Sequence, residues 1–190
     1  DTPTGPTGPQ AAPGQYQIRL TVDGKSFTQP LELKMDPRVT TAPDALATAH
    51  RTALACYDSI ASVRTAQTEV RRLREQLKAR KDQAGAGALA TAIDELDKKA
   101  AALEGRSAGL DVFGINNREP GFAGLVSGFL SLMNLIDGVD ALPTTQALKA
   151  VEDQQRVLAE LQTRWNELKS KEVGSLNAEL SKANLPKINL

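Results

Sequence analysis

The sequence predicts a mainly α-helical protein, an elongated antiparallel bundle of three or four helices preceded by a β-hairpin. Alanine and leucine dominate its apolar residues and only 4% of its 190 residues are aromatic, which favours close helix packing over a β-sandwich core. Apolar residues recur at helical spacing through most of residues 39–190, whereas residues 15–38 alternate between apolar and polar side chains. The second pattern is that of a half-buried strand.

The first 14 residues form a separate segment rich in proline and glycine. They contain no apolar periodicity, which predicts a flexible or polyproline-like linker at residues 1–14. The chain also begins at Asp1 without an initiator methionine or a signal peptide. We therefore expect it to be a processed product or a piece of a longer polypeptide.

Residues 15–38 are predicted to form a β-hairpin around the pair Asp23-Gly24. Both residue types accept the positive φ angles that a type I′ turn requires. Pro30 lies in the second strand and has no N–H to donate to the ladder. That strand is therefore predicted to lie at a sheet edge or to be interrupted by a bulge.

A two-stranded ribbon alone is marginally stable in water, so this hairpin needs neighbours. One possibility is that it packs on the helices. The other, which we favour, is that it supplies the last strands of an Ig-like sandwich whose other strands lie upstream of Asp1 or in another chain. The candidate interaction residues are its alternating apolar positions, Tyr16, Ile18, Leu20, Val22, Phe27, Leu31 and Leu33.

Four helices are predicted in residues 39–190. The first begins at Pro43 and ends near Asp82, the second spans residues 89–105, the third residues 122–136 and the fourth residues 143–184. The two long helices would each extend about 60 Å and the two short ones about 28 Å. The short pair could stack end to end as the middle column of three or fold back to form four helices, and we favour stacking.

Charge and composition argue against several classes of function. The 23 basic and 23 acidic residues leave no net charge to attract polyanions. Arg64 to Lys81 is locally cationic, but acidic residues lie within it and on the next helix, which predicts ion pairs between helices and no nucleic-acid partner. The single histidine and single cysteine, His50 and Cys56, lie six residues apart on different faces of one helix, so neither a catalytic pair nor a metal site is predicted.

Three other features have structural interpretations. Pro120 to Ile136 is uncharged but shorter than the roughly 20 residues of a membrane span, so we predict a buried helix and no transmembrane segment. Trp165 is predicted to be a core residue. The glycines of the third helix are predicted to be packing contacts, namely Gly121, Gly124 and Gly128. The polar residues of the preceding loop are predicted to cap helices, namely Asn116, Asn117, Arg118 and Glu119.

Two stretches resemble a known group of proteins. The run from Pro13 to Lys25, continuing from Gln29 to Val39, is similar to the C-terminal segment of large secreted bacterial proteins with Asp-box, sortilin-like β-propellers. The tail looks like the closing helix of the same proteins through Asp140-Ala-Leu-Pro-Thr-Thr-Gln-Ala, Leu161, Trp165, Leu168, Leu176-Asn177 and Asn184-Leu-Pro. The resemblance implies export to the periplasm, cell surface or exterior, and a position after a propeller and an Ig-like region.

We therefore expect a non-catalytic C-terminal module that acts in docking, spacing or assembly and binds no cofactor. Its expected partner is the upstream propeller and Ig-like region or another protein chain, and a homo-oligomer is possible. One alternative is part of a carbohydrate-active, sialidase-like enzyme, as such proteins are often labelled, but no Asp-box repeat or catalytic position of that group falls within this chain. The other is a helical adaptor that builds extracellular assemblies through unpaired hairpin edges.

Overall fold

The computed structural model describes residues 8–105 and 121–190. It is mainly helical (67%) and carries one small antiparallel hairpin, which confirms the predicted class at this level. Four helical rods lie in the described part of the chain, the fourth of them made of three consecutive pieces. The elements are β1 Gly14–Val22, β2 Lys25–Leu33, α1 Pro43–Ala84, α2 Ala88–Glu104, α3 Phe122–Asp137, α4 Thr145–Glu167, a π-helical turn Leu168–Val173, and α5 Gly174–Lys182.

The helix ends follow local chemistry. Pro43 lies in the first turn of α1, where its missing N–H would have no partner in the helix. Thr144 caps α4, because its hydroxyl accepts a hydrogen bond from the Ala147 amide at 3.2 Å. The chain leaves α2 through Gly105, whose φ of 68° and ψ of −174° are accessible essentially to glycine alone.

The π-helical turn interrupts what the sequence pattern predicted as one continuous fourth helix. Leu168 and Val173 are both buried although they lie five residues apart. Five residues of α-helix would rotate the second side chain about 140° away from the first, whereas the wider π turn keeps both near one face. The extra residue therefore preserves the buried face of the rod through to Leu176.

The short helices lie along different halves of α1. Ion pairs join the C-terminal half of α1 to α2, including Arg74 to Asp97 at 2.8 Å. At the other end, α1 residue Leu46 and α3 residue Ile136 line one common cleft. Both α2 and α3 therefore run antiparallel to α1. The rods share a single apolar core that draws fully buried side chains from every one of them, such as Leu77, Ile93, Phe129, Leu161 and Leu180.

The end of α2 meets the start of α3 at a very close backbone contact. A Cβ atom placed on Gly121 would lie 2.5 Å from the Gly105 Cα. Gly128 is also a contact, because the Gln154 amide occupies the space that a Cβ would need. The packing role predicted for Gly124 is wrong, since nothing lies within 4 Å of a Cβ at that position.

Candidate interaction surface

The hairpin has the turn and register expected from its sequence. Asp23 and Gly24 adopt φ angles of 49° and 77°, as a type I′ turn requires. The ladder continues without a bulge from Val22 opposite Lys25 to Gly14 opposite Leu33, and Pro30 stands within it opposite Gln17. Of the two sequence-based alternatives for Pro30, the structure shows an edge strand without a bulge.

All seven predicted interaction residues lie on one face of this ribbon. The register places Tyr16 directly opposite Leu31 and Leu20 directly opposite Phe27, and residues directly opposite each other share a face. The other face is polar and includes a hydrogen bond between the hydroxyls of Thr21 and Ser26. We call the apolar side the hairpin face, and it consists of Tyr16, Ile18, Leu20, Val22, Phe27, Leu31 and Leu33.

The hairpin face is open in the described part of the chain. Within residues 8–105 and 121–190, the backbone of neither strand lies close to a helix. Only Leu33, at the base, is partly buried, and it lines a cleft with Leu46 of α1 and Ile136 of α3. The other six side chains are exposed, from 38% for Tyr16 to 60% for Leu20 and Phe27. With about 200 Å² for a large apolar side chain, the face exposes on the order of 600 Å² of apolar area. That is at the upper limit for the largest apolar patch on an ordinary monomer, and such patches are often binding sites.

The base of the hairpin, in contrast, is fastened to the helices. The Gln10 amide donates to the Asp137 carboxylate at 2.8 Å, and the Gln10 side chain donates to the Asp137 carbonyl at 3.2 Å. His50 Nδ1 donates to the Gln10 carbonyl at 2.9 Å, because a carbonyl oxygen only accepts. After β2 in the sequence, the Thr41 hydroxyl donates to the Asp140 carbonyl. The ribbon is thus held at its base while its apolar face is left uncovered.

Sequence reasoning missed this attachment. The sequence analysis predicted a flexible linker at Gln10 and considered His50 only as a catalytic or metal-binding residue. The interacting groups lie up to 127 residues apart, and neither the type nor the local spacing of these residues marks them as partners.

The cationic stretch of α1 pairs with carboxylates of α2 through Arg71, Arg74 and Lys81, as its acidic neighbours predict. Arg74 binds Asp97 at 2.8 Å and Glu104 at 2.6 Å. The hydrogen bonds to these two carboxylates, Asp97 first, raise the pKa of Arg74 above its usual value. Lys81 pairs with Asp94 at 2.6 Å. These ion pairs join the C-terminal half of α1 to α2.

A second polar cluster joins α1 to the fourth rod. The Trp165 indole N–H donates to Glu69 at 2.8 Å, and the Lys169 ammonium donates to the same oxygen at 2.9 Å. These two donors, Lys169 first, hold the pKa of Glu69 below its usual value. The Lys169 ammonium also lies 5.2 Å from the centre of the Trp165 ring. Trp165 itself is buried, so the cluster fixes the packing of two rods.

The residues that could carry nucleophilic chemistry are separated. Cys56 is buried in the core, and burial raises the pKa of its thiol to about 11, so little thiolate exists at neutral pH. His50 is engaged with Gln10. The loop residues Asn116 to Glu119 lie outside the described part of the chain. Among the residues that are described, no three His, Cys, Asp or Glu side chains converge as a metal site would require.

Two remaining findings concern membrane-spanning helices and similarity to known proteins. In the two described segments, every helix is too short or too polar to cross a bilayer. No protein-family model matches the chain, and neither a curated protein nor a solved structure shows significant similarity to it.

Proposed function

We propose that this chain is a non-catalytic structural and interaction module that docks onto another polypeptide region through the hairpin face. The observation that carries this proposal is the pairing of an uncovered apolar face with an anchored base. A ribbon of two strands is marginal when isolated, so an exposed one gains stability from any sheet that covers it. Its fastening at Gln10, His50 and Asp137 presents that face at one end of the helical rods.

The apolar area of the hairpin face is large enough to offset the entropic cost of docking. Burying about 600 Å² of apolar area contributes on the order of 15 kcal/mol at 25 cal/mol per Å². Losing the freedom of two separate bodies opposes this by about 4–15 kcal/mol. Backbone hydrogen bonds along a strand edge would add to the favourable side. Apolar burial can therefore offset the cost of docking, while the choice of partner depends on how well the two surfaces fit.

The partner that fits best is an Ig-like sheet. The resemblance of the hairpin segment to the C-terminal part of secreted bacterial β-propeller proteins supports an Ig-like region that precedes the hairpin in the parent polypeptide. On this proposal, β1 and β2 complete or extend that sheet, and the protein works in the periplasm, at the cell surface or outside the cell. The parent protein's activity would reside in other regions.

The helices then serve as a spacer and docking platform. We propose that α2 and α3 stack end to end between α1 and the fourth rod, giving an elongated three-column bundle. The 42 residues of α1 correspond to a length of about 63 Å. The contact between Gly105 and Gly121 and the antiparallel placement of both short helices on α1 support this arrangement.

A double substitution tests the docking function. Ile18→Asp with Leu20→Asp places two charges on the hairpin face, where docking would have to bury them. We expect at least a 100-fold loss of affinity for the preceding propeller and Ig-like region, expressed separately and mixed with the chain. Light scattering gives the mass of the complex, and far-ultraviolet circular dichroism checks that helicity is retained.

The matched control is Gln17→Asp with Thr21→Asp. It adds the same two charges to the same strand but on the polar face of the ribbon. This control should bind within about threefold of the unmodified chain, because surface substitutions of this kind cost little. Equal losses in the two variants would contradict a role for the hairpin face. Turnover of a glycan by the isolated chain would overturn the non-catalytic assignment.

A further inference from the structure

We infer that β1, and not β2, is the strand that pairs with the partner sheet, so that β1 becomes an interior strand and β2 becomes the outer edge. The inference rests on the proposed docking function and adds the orientation of the hairpin in the joint sheet. The partner in this inference is a two-layer antiparallel β-sandwich with one open edge.

The hydrogen-bond pattern of the ladder decides which groups point outward. Val22 and Lys25 flank the two-residue turn and form its closing hydrogen-bonded pair. Hydrogen-bonded and non-hydrogen-bonded pairs alternate along an antiparallel ladder. Counting from the turn, the pairs Arg19 with Thr28 and Gln17 with Pro30 are both non-hydrogen-bonded. Their backbone N–H and C=O groups therefore point away from the opposite strand.

The two outer edges differ because of Pro30. The outward amides of β1 belong to Gln15, Gln17, Arg19 and Thr21, and all of these residues have an N–H. The corresponding positions on β2 are Ser26, Thr28, Pro30 and Glu32. Pro30 lacks the N–H, so a strand that pairs with β2 would lose a hydrogen bond in the middle of its ladder. Only β1 offers an uninterrupted edge.

The charged residues also distinguish the β2 edge from the β1 edge. The β2 strand carries Lys25 and Glu32, and Lys34 follows it and pairs with Glu32 at 3.1 Å. The β1 strand carries Arg19 alone among charged residues. Proline and charged side chains, lysine above all, are the usual means by which an exposed edge strand resists further pairing. The composition of β2 is thus that of a permanent edge, whereas that of β1 is not.

A suitable partner must cover the hairpin face and pair with the β1 edge at the same time. Two copies of this chain that paired through β1 would place both hairpin faces on the same side of a four-stranded sheet and leave both uncovered. Two copies that stacked their faces would leave both β1 edges unpaired. A β-sandwich with an open edge pairs with β1 through one layer and covers the hairpin face with the other. The apolar face and the backbone edge together approach the roughly 800 Å² per partner of a standard interface.

A matched pair of proline substitutions tests the orientation. Arg19→Pro removes an outward N–H from β1, and Thr28→Pro removes one from β2 directly opposite, with no ladder bond lost in either case. Both are measured against the separately expressed propeller and Ig-like region, with Arg19→Gln as the control for lost charge. We expect Arg19→Pro to weaken binding at least tenfold, and Thr28→Pro and Arg19→Gln to change it less than threefold. If proline disturbs the hairpin, amide exchange in the unmodified complex replaces it, with protection expected at Gln17 and Arg19 but not at Ser26 and Thr28.

Each other outcome contradicts a definite part of the inference. Loss of binding in Thr28→Pro alone, or protection on β2 alone, would overturn the orientation and leave the docking function standing. Binding that survives both prolines, with no new protection on either strand, would show contact through the hairpin face alone. A homo-oligomer that Arg19→Pro dissociates would make a second copy the occupant. Failure of the unmodified chain to bind the region at all would contradict the docking function, and the orientation with it.

Discussion

Replacing Phe129 with alanine is expected to lower the free energy of unfolding by about 3–5 kcal/mol. Phe129 lies on α3 and is fully buried in the common core. Its removal deletes a large apolar side chain and leaves a cavity that the surrounding α-helices can fill only in part. Urea denaturation followed by circular dichroism at the helical band measures the change.

The neighbouring residue provides the control for this prediction. Leu130 is 37% exposed, although it is as apolar as a core residue. Leu130→Ala should therefore cost less than about 1 kcal/mol. Similar losses at the two positions would contradict the orientation of α3, whereas a large difference supports burial of one face of an otherwise apolar helix.

Gly121→Ala is the second substitution with a large expected effect. The new Cβ would meet the Gly105 Cα at 2.5 Å and the Gly105 nitrogen at 2.8 Å. Backbone atoms cannot rotate away as a flexible side chain can, so the ends of α2 and α3 must separate. We expect a loss of about 2–3 kcal/mol, at the upper end of the range for overpacking. Thermal and urea unfolding both report it.

Gly124→Ala is the matched control on the same helix. No atom lies within 4 Å of a Cβ at Gly124, and alanine favours the helical backbone by about 0.5–1 kcal/mol over glycine. This variant should be as stable as the original chain or slightly more stable. If Gly124→Ala were destabilised and Gly121→Ala were unchanged, the close contact between α2 and α3 at Gly121 would be contradicted.

The elements of this fold could be predicted because their signals are local. Asp23-Gly24 specifies a two-residue turn, and the turn sets the register that brings seven apolar side chains to one face. Pro43 and Gly105 mark a helix start and a helix end through the backbone angles they allow or exclude. These residues act within a few positions of themselves, so no knowledge of the tertiary fold is needed.

The π-helical turn was missed although its signal is present in the sequence. The apolar spacing of the fourth rod is four, three, five, three and four residues from Leu161 to Leu180. A spacing of five is poor for an α-helix and suits a π turn between Leu168 and Val173. The sequence analysis predicted one continuous fourth helix over residues 143–184, without an interruption at this interval.

The contacts of the C-terminal tail could not be predicted. The C-terminal tail returns along α1 and α5, where the Asn177 side chain bonds both the amide and the carbonyl of Ile188. The Gln76 side chain does the same for Asn189. Asparagine and glutamine are ordinary surface residues by sequence. Their role as partners of an extended tail depends on a tertiary fold that brings residues 113 positions apart together.

The placement of the hairpin was only partly predictable for the same reason. Alternation of apolar and polar residues specifies which side chains form the hairpin face. It contains no information on whether helices cover that face, because coverage depends on where the base of the ribbon is attached. The bonds from Gln10 to Asp137 and His50 make that attachment, and they leave the face open.

The central claim is that the helices are stable on their own, whereas the hairpin needs a partner for its stability. Amide hydrogen exchange on the dilute, monomeric chain tests this claim most directly. The ladder amides of Leu20 and Phe27 should exchange by local opening, at least 100-fold faster than the core amides of Leu73 and Leu77. Exchange at Leu20 and Phe27 as slow as at Leu77 would contradict the account, because it would show that the hairpin is already part of the stable body of the monomer.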